Sequence, residues 1–306
     1  MSSQSRIVLV TGGAGFVGSH LVDELVGRGL RVRVLDSLAT GKRSNLNPRA
    51  EVIENDIRDL DAIWPAFDGV DCVFHTAAMA RVPLSIEKPL ETHAANATGT
   101  LNVLVAARDA HVRRVVNSGS SSVYGDQPTL PLREDMAPNP LNPYALQKLI
   151  GECYTRQFHQ LYGMQTLTLR YFNVYGPRMT AEGAYLTVIS IFLRQRKAGE
   201  PLTIDGDGEQ TRDFTHVHDV VRANILAMDC QTADGRAINI GAGHNVSINA
   251  IARMIGGPLT HRPPRRGDAR NTLADNREAA KVLGWHPAID LGQGVEELMQ
   301  QAGLRT

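Results

Sequence analysis

The first half of the chain alternates short β-branched runs with segments of helical periodicity. Ile7-Val-Leu-Val10 predicts a strand, and residues 18–28 a helix with apolar Leu21, Val22, Leu25 and Val26 on one face. Further strands are predicted at Val32–Leu35, Glu51–Glu54, Cys72–His75, Arg114–Asn117 and Leu167–Arg170. Helices near 96–109 and over Tyr144–Tyr162 separate the last three, the second with Asn142-Pro143 as its start signal. Short apolar strands joined by helices predict parallel βαβ units covered on both faces. The expected fold class is α/β, a doubly wound parallel sheet.

After Pro177 the pattern changes, and loops rich in Gly, Pro and Arg alternate with short helices. This predicts a smaller C-terminal α/β substrate lobe that closes over the ligand. The expected division puts residues 1–172 in the sheet domain, with 217–238 packing back onto it. Residues 173–216 and 239–306 would form the lobe.

Composition narrows the function classes. A chain of 306 residues can bury a large core, and 42% hydrophobic with 21% charged residues is ordinary for a globular protein. Lys+Arg equals Asp+Glu at 32 each, so no global positive field exists for nucleic acid or an anionic membrane. An anionic ligand must be held by local donors. Cys72, Cys153 and Cys230 are widely spaced and read as buried apolar residues in a reducing compartment. The apolar run at 7–10 is too short for a signal peptide or a membrane span, so a cytoplasmic location is expected. His216 and His218 lack a third ligand and read as strand-edge or helix-cap residues, with no metal site expected. Trp64 and Trp285 read as packing residues.

Gly12-Gly-Ala-Gly15-Phe-Val-Gly18 directly follows the first strand and opens the first helix. Such glycines let the backbone approach a pyrophosphate, while the helix N-terminus supplies N–H donors and partial positive charge. Gly12, Gly15, Phe16, Val17 and Gly18 are therefore cofactor candidates. Asp36, at the end of the second strand, suits ribose hydroxyls and repels a 2′-phosphate, favouring NAD over NADP. Lys42 and Arg43 nearby weigh slightly the other way. Asp56 and Ile57 are placed to meet the adenine, with a helix N-cap as the plainer reading of Asp56.

Tyr144 and Lys148 are four apart, on one face of a helix. A lysine ammonium beside a phenol stabilises the phenolate and makes tyrosine a usable base. Ser118-Gly-Ser-Ser-Ser-Val-Tyr124 follows a predicted strand end, where a serine hydroxyl can bond a reacting oxygen.

These motifs run in order with His75-Thr-Ala-Ala78, Arg170-Tyr-Phe-Asn-Val-Tyr-Gly-Pro-Arg178, Gly206-Asp-Gly-Glu-Gln-Thr-Arg-Asp-Phe214 and Asn239-Ile-Gly241. Together they resemble the extended short-chain dehydrogenases that act on nucleotide sugars, most closely the UDP-glucose and UDP-N-acetylglucosamine 4-epimerases. The resemblance implies a Rossmann domain, bound NAD, a UDP-sugar substrate and a homodimer. It makes Tyr144 the general base, Lys148 its partner on the nicotinamide ribose, and Ser120 the contact to the 4-oxygen, with Ser121 and Ser122 beside the sugar. Ala77 and Ala78 would line the cofactor, and Arg81 the nicotinamide or sugar pocket. Asn173, Arg212 and Arg265 would hold the diphosphate and Asp268 the uridine ribose.

Within that family, dehydratases carry an Asp-Glu pair where Ser121 and Ser122 stand, and decarboxylases usually a glutamate at Ser122. The bare serines suit epimerisation. Thr272 takes the place of a bulky tyrosine in strict glucose/galactose epimerases, which leaves room for a 2-acetamido group or, less directly, a uronate. A reductase with exchangeable cofactor and a cofactor-sensing regulatory protein are the competing expectations.

Overall fold

The computed structural model describes residues 6–179, 187–264 and 267–304. Its strands, in chain order, are β1 (Ile7–Thr11), β2 (Arg31–Leu35), β3 (Glu51–Ile53), β4 (Val70–His75), β5 (Arg114–Ser120), β6 (Gln165–Tyr171), β7 (Val174–Tyr175), β8 (Leu202–Asp205), β9 (Thr211–Asp213), β10 (Thr215–His216), β11 (Asp234–Ile240), β12 (Asn245–Ser247) and β13 (Leu259–Arg262). Seven of them form one sheet in the order β11-β6-β5-β4-β1-β2-β3, every pair parallel. The direction of winding reverses between β1 and β4, so a crevice opens beyond Thr11 and His75. Smaller sheets pair β7 with β10, β9 with β12 and β8 with β13.

Both faces of the large sheet are covered, which is why its strands read as unbroken apolar runs. On one face Leu21 and Leu25 of helix Phe16–Gly27 pack with Val220 of helix Val217–Asp229 and with Trp285. On the other, Val103 of helix Gly99–Asp109 and Phe158 of helix Pro143–Tyr162 pack with Ile63 and Phe67. A third core joins Phe192, Ile251 and Leu298 beneath the smaller sheets.

The helix Pro143–Tyr162 begins where the sequence signals it. Asn142 accepts a hydrogen bond from the Ala145 N–H at 2.9 Å, Pro143 occupies the first turn, and Gly163 closes the far end at φ 67°. Helix Val217–Asp229 packs through Val220, Val221 and Met228 in the core against the large sheet, and the chain then adds β11 as the sheet's edge strand.

Several local expectations change. β5 runs on to Ser120 instead of ending at Asn117, because Ser118 to Ser120 stay paired with Leu169 to Tyr171. The helix near residue 96 starts as a wider π turn at Ala94–Thr98. Trp285 is fully buried, but Trp64 is 46% exposed and no core residue. Cys72 is buried, while Cys153 and Cys230 are half-buried. Among the described residues, no helix is long and apolar enough to cross a membrane.

Candidate active site

A cavity of about 1220 Å³ follows the crevice from the glycine loop, past the ends of β4 and β5, to the smaller sheets. Its glycine end is shaped by what cannot fit there. Gly12 has φ 73°, and a Cβ on it would lie 2.7 Å from the Ala77 backbone. A Cβ on Gly18 would lie 2.2 Å from the Gly12 carbonyl oxygen. Gly15 precedes the helix without capping it by a side chain, so the first-turn N–H groups of Phe16–Gly27 face the cavity with no acidic residue among them. Phe16, Val17 and Ala78 line the same end.

Asp36 is oriented by two backbone donors: Ala14 N–H reaches Oδ2 at 2.9 Å and Leu38 N–H reaches Oδ1 at 2.8 Å. The remaining lone pairs of this buried carboxylate can accept from sugar hydroxyls. Arg43 pairs with Glu54, whereas Lys42 lines the cavity. Asp56 does not cap a helix. It is gripped by Arg58 at 2.7 Å, which holds its carboxyl below the usual range, and the N-cap is Asp59, accepting from Ala62 N–H at 3.1 Å. Asp56 and Ile57 both line the cavity.

Tyr144, Lys148 and Ser120 line the middle of the cavity. Burial pushes the Tyr144 phenol up, and a hydrogen bond with Ser120 opposes that rise. Burial also pushes the Lys148 ammonium down to about 8. Ser120 Oγ shares a 2.7 Å hydrogen bond with Ser122 Oγ and accepts Ser122 N–H at 3.1 Å. Ser121 is buried alongside. This arrangement gives a phenol, a cation and a chain of hydroxyls at one place, suited to moving a proton on and off a carbinol oxygen.

Positioning contacts that the sequence pattern did not reveal surround this centre. Asn96 donates to the Met79 carbonyl at 3.1 Å and accepts Met79 N–H at 2.7 Å, fixing the loop after β4. The same amide donates to Gln147 Oε1 at 2.8 Å, tying that loop to the Tyr144 helix. Ser85 Oγ accepts Tyr144 N–H at 3.1 Å. His75 shares hydrogen bonds with Thr11 at 2.8 Å and Thr100 at 2.9 Å. These partners are far apart in sequence, and no local spacing marks them.

Across the cavity, Asn173 adopts φ 28° and donates to the Asp213 carbonyl at 3.2 Å and to the Thr272 hydroxyl at 3.4 Å. That hydroxyl also accepts Asp213 N–H at 3.3 Å. Thr272 is thus more than a small residue leaving space. Asp213 is fully buried and accepts from the N–H groups of Ala242, Gly243 and Ala274 at 2.7, 3.0 and 2.9 Å. Burial still raises its carboxyl to about 6. Arg212, Asn173, Asp268 and Thr272 all line the cavity, and Arg262 and Arg270 join them. Arg265 lies outside the described residues.

His216 does cap helix Val217–Asp229, accepting His218 N–H at 3.3 Å, and its ring packs on His218 and Tyr175. Among the described residues no group of side chains is placed to hold a metal ion.

Residues 8–241 match the model of a family described as the NAD dependent epimerase/dehydratase family. A putative UDP-glucose 4-epimerase of Methanocaldococcus jannaschii is 39% identical over 301 residues, covering 96% of this chain and 97% of that one. The crystal structure of a UDP-glucose 4-epimerase from Thermotoga maritima with UDP-glucose superimposes with TM-score 0.91 at 36% identity, covering 96% of this chain and 99% of that one. A Thermus thermophilus UDP-glucose 4-epimerase in complex with NAD gives TM-score 0.89 at 34% identity, covering 97% and 99%.

Proposed function

Because the chain belongs to the NAD-dependent epimerase/dehydratase family, we propose that it interconverts UDP-sugars epimeric at C4, with NAD held in the glycine-lined half of the cavity. The observation that carries this reading is the meeting of Tyr144, Lys148 and Ser120 in the cavity that also contains the glycine loop. The glycine end fits the cofactor: Gly12 and Gly18 leave no room for a Cβ where a pyrophosphate would approach, and the uncapped helix N-terminus offers donors to it. Asp36 offers acceptors to the adenosine ribose, and a carboxylate there disfavours a 2′-phosphate.

Bound NAD would supply reversible two-electron chemistry at the sugar's C4. Tyr144 takes the 4-hydroxyl proton as the carbonyl forms and returns it when the alcohol is restored. Lys148, held on the same helix face, favours the phenolate, whose formation burial alone opposes. Ser120 holds the 4-oxygen, and Ser122, hydrogen-bonded to it, keeps its hydroxyl aimed. The sugar must present both faces in turn, so the nucleotide has to be gripped elsewhere. Asn173, Arg212, Asp268 and the segment around Thr272 are the residues assigned that grip. Dehydration and decarboxylation need an acid beside the serines, and Ser121 and Ser122 supply hydroxyls only. UDP-glucose and UDP-N-acetylglucosamine are the neutral substrates that suit the small Thr272.

The test is product NMR after incubating the purified protein with each UDP-sugar and no added reductant. Appearance of the 4-epimer is expected, and NADH released in proportion to substrate would instead mark a dehydrogenase. Tyr144→Phe should lower turnover at least ~100-fold while NAD still binds. Turnover equal to that of the parent removes Tyr144 from the mechanism.

A further inference from the structure

Arg81 lies six residues beyond the last residue of β4 and lines the cavity. Its Nε is sealed from solvent with no hydrogen-bond partner, and none of the described residues forms an ion pair with its guanidinium. Its backbone is well fixed. The Arg81 carbonyl accepts Ser85 N–H at 3.0 Å, and Ser85 Oγ in turn accepts Tyr144 N–H at 3.1 Å. Two residues earlier, Asn96 holds Met79 by both its backbone groups. Arg81 therefore stands one helical turn from the contact with Tyr144, in the lining of the cavity that Tyr144 shares.

A guanidinium partly removed from water and without a counter-charge is costly unless a ligand completes it. The diphosphates have other donors in the same lining: the cofactor's at the helix following Gly15, the substrate's at Arg212 and Arg262. Glu91, an acid in the cavity lining, is bridged by Lys88 at 3.5 Å. A neutral hexose brings only hydroxyls to Arg81. A carboxylate on the pyranose ring matches both its charge and its planar fork.

We propose that Arg81 is a specificity-determining residue that receives the carboxylate of a UDP-hexuronic acid, so that the site takes a uronate as well as neutral sugars. The assignment rests on the UDP-sugar reading above and deepens it. The test compares wild type, Arg81→Gln and Arg81→Lys on UDP-glucuronate and UDP-glucose, by kcat/KM and by calorimetric Kd. Wild type should bind UDP-glucuronate and convert it to its 4-epimer. In Arg81→Gln the preference ratio, UDP-glucuronate over UDP-glucose, should fall by about 10- to 100-fold, the range of one charge-assisted hydrogen bond or two, with partial recovery in Arg81→Lys.

An unchanged ratio overturns the proposal. Parallel loss with both sugars also overturns it and assigns Arg81 to a diphosphate. Failure of wild type to bind UDP-glucuronate does the same. A wild type that binds both nucleotides but epimerises neither defeats the epimerase reading instead, and the calorimetric ratio still decides the role of Arg81.

Discussion

His75 is enclosed by the hydroxyls of Thr11 and Thr100, and burial, with a smaller contribution from the Lys148 charge, pushes its pKa down to about 3. A neutral imidazole is what this position needs, since a second cation would weaken Lys148's hold on its proton. At pH 5.5 an ordinary histidine is about nine-tenths protonated. The His75 ring should still give neutral-imidazole chemical shifts there in an NMR titration, and a midpoint near 6.5 would contradict this picture. The stability sign follows from linkage. The unfolded chain takes up a proton near pH 6.5 that folded His75 refuses, so stability is lost as pH falls from there towards 3, by about 1.4 kcal/mol per pH unit at most. Thr272 makes a second residue-scale case. Thr272→Val keeps the volume but removes the acceptor for Asp213 N–H and the Asn173 amide. Urea unfolding should show a loss of about 1–2 kcal/mol, and the KM for the UDP-sugar should rise; an unchanged KM would separate Thr272 from Asn173's placement. At this scale Tyr144, Lys148, Ser120 and Asp36 were legible because each sits at a fixed offset from a strand or along a helix. The contacts made by Asn96, His75 and Asp213 were not, because their partners lie up to 64 residues away and leave no periodic trace.

The glycine loop shows how an element is placed by exclusions. A Cβ on Gly18 would meet the Gly12 carbonyl oxygen at 2.2 Å and the Thr76 hydroxyl at 2.8 Å, so the turn would have to open. Gly27, at the far end of the same helix, has nothing within 4 Å. Gly18→Ala should weaken NAD binding by ~100-fold or more in a calorimetric titration, a factor corresponding to about 2.7 kcal/mol. Gly27→Ala should leave that affinity alone and add up to about 1 kcal/mol of stability through helix propensity. Equal effects of the two substitutions would mean that helix propensity, not the cradle, governs binding. The elements of the large sheet were readable since a strand buried on both faces is apolar throughout, as in β1. The ends were less so. β5 gains three residues through pairing with β6, a tertiary contact invisible in Ser118-Gly-Ser120. The π turn at Ala94–Thr98 likewise has no signal in its alanines.

At the scale of the whole molecule, the return of the chain to the sheet ties the large sheet to the C-terminal helices. The sequence suggested that segment 217–238 packs back onto the sheet domain, but not the fastening of helix Val217–Asp229, which depends on one buried carboxylate. Asp219 is 2% exposed; Oδ2 accepts Ala288 N–H at 3.0 Å and Ile289 N–H at 3.0 Å, and Oδ1 pairs with Arg222 at 2.9 Å. The Asp219 carbonyl also accepts the Trp285 indole N–H at 2.9 Å. Segment 285–289 is thereby pinned just before helix Leu291–Gln301, whose Val295 and Leu298 belong to the core under the smaller sheets. Asp219→Ala would strand two buried amide N–H groups and leave Arg222 without its ion pair. A loss of about 3 kcal/mol in urea unfolding is expected, the sum of one charged and one or two neutral hydrogen bonds less partial rehydration. Asp219→Asn keeps one carbonyl acceptor and should lose about half as much. The variant should also be cleaved sooner between 285 and 304 in limited proteolysis, because local opening there no longer breaks the carboxylate contacts. If Asp219→Ala kept the parent's unfolding midpoint and cleavage rate, the carboxylate would be incidental, and the apolar packing of Trp285 alone would have to join the C-terminal helices to the sheet.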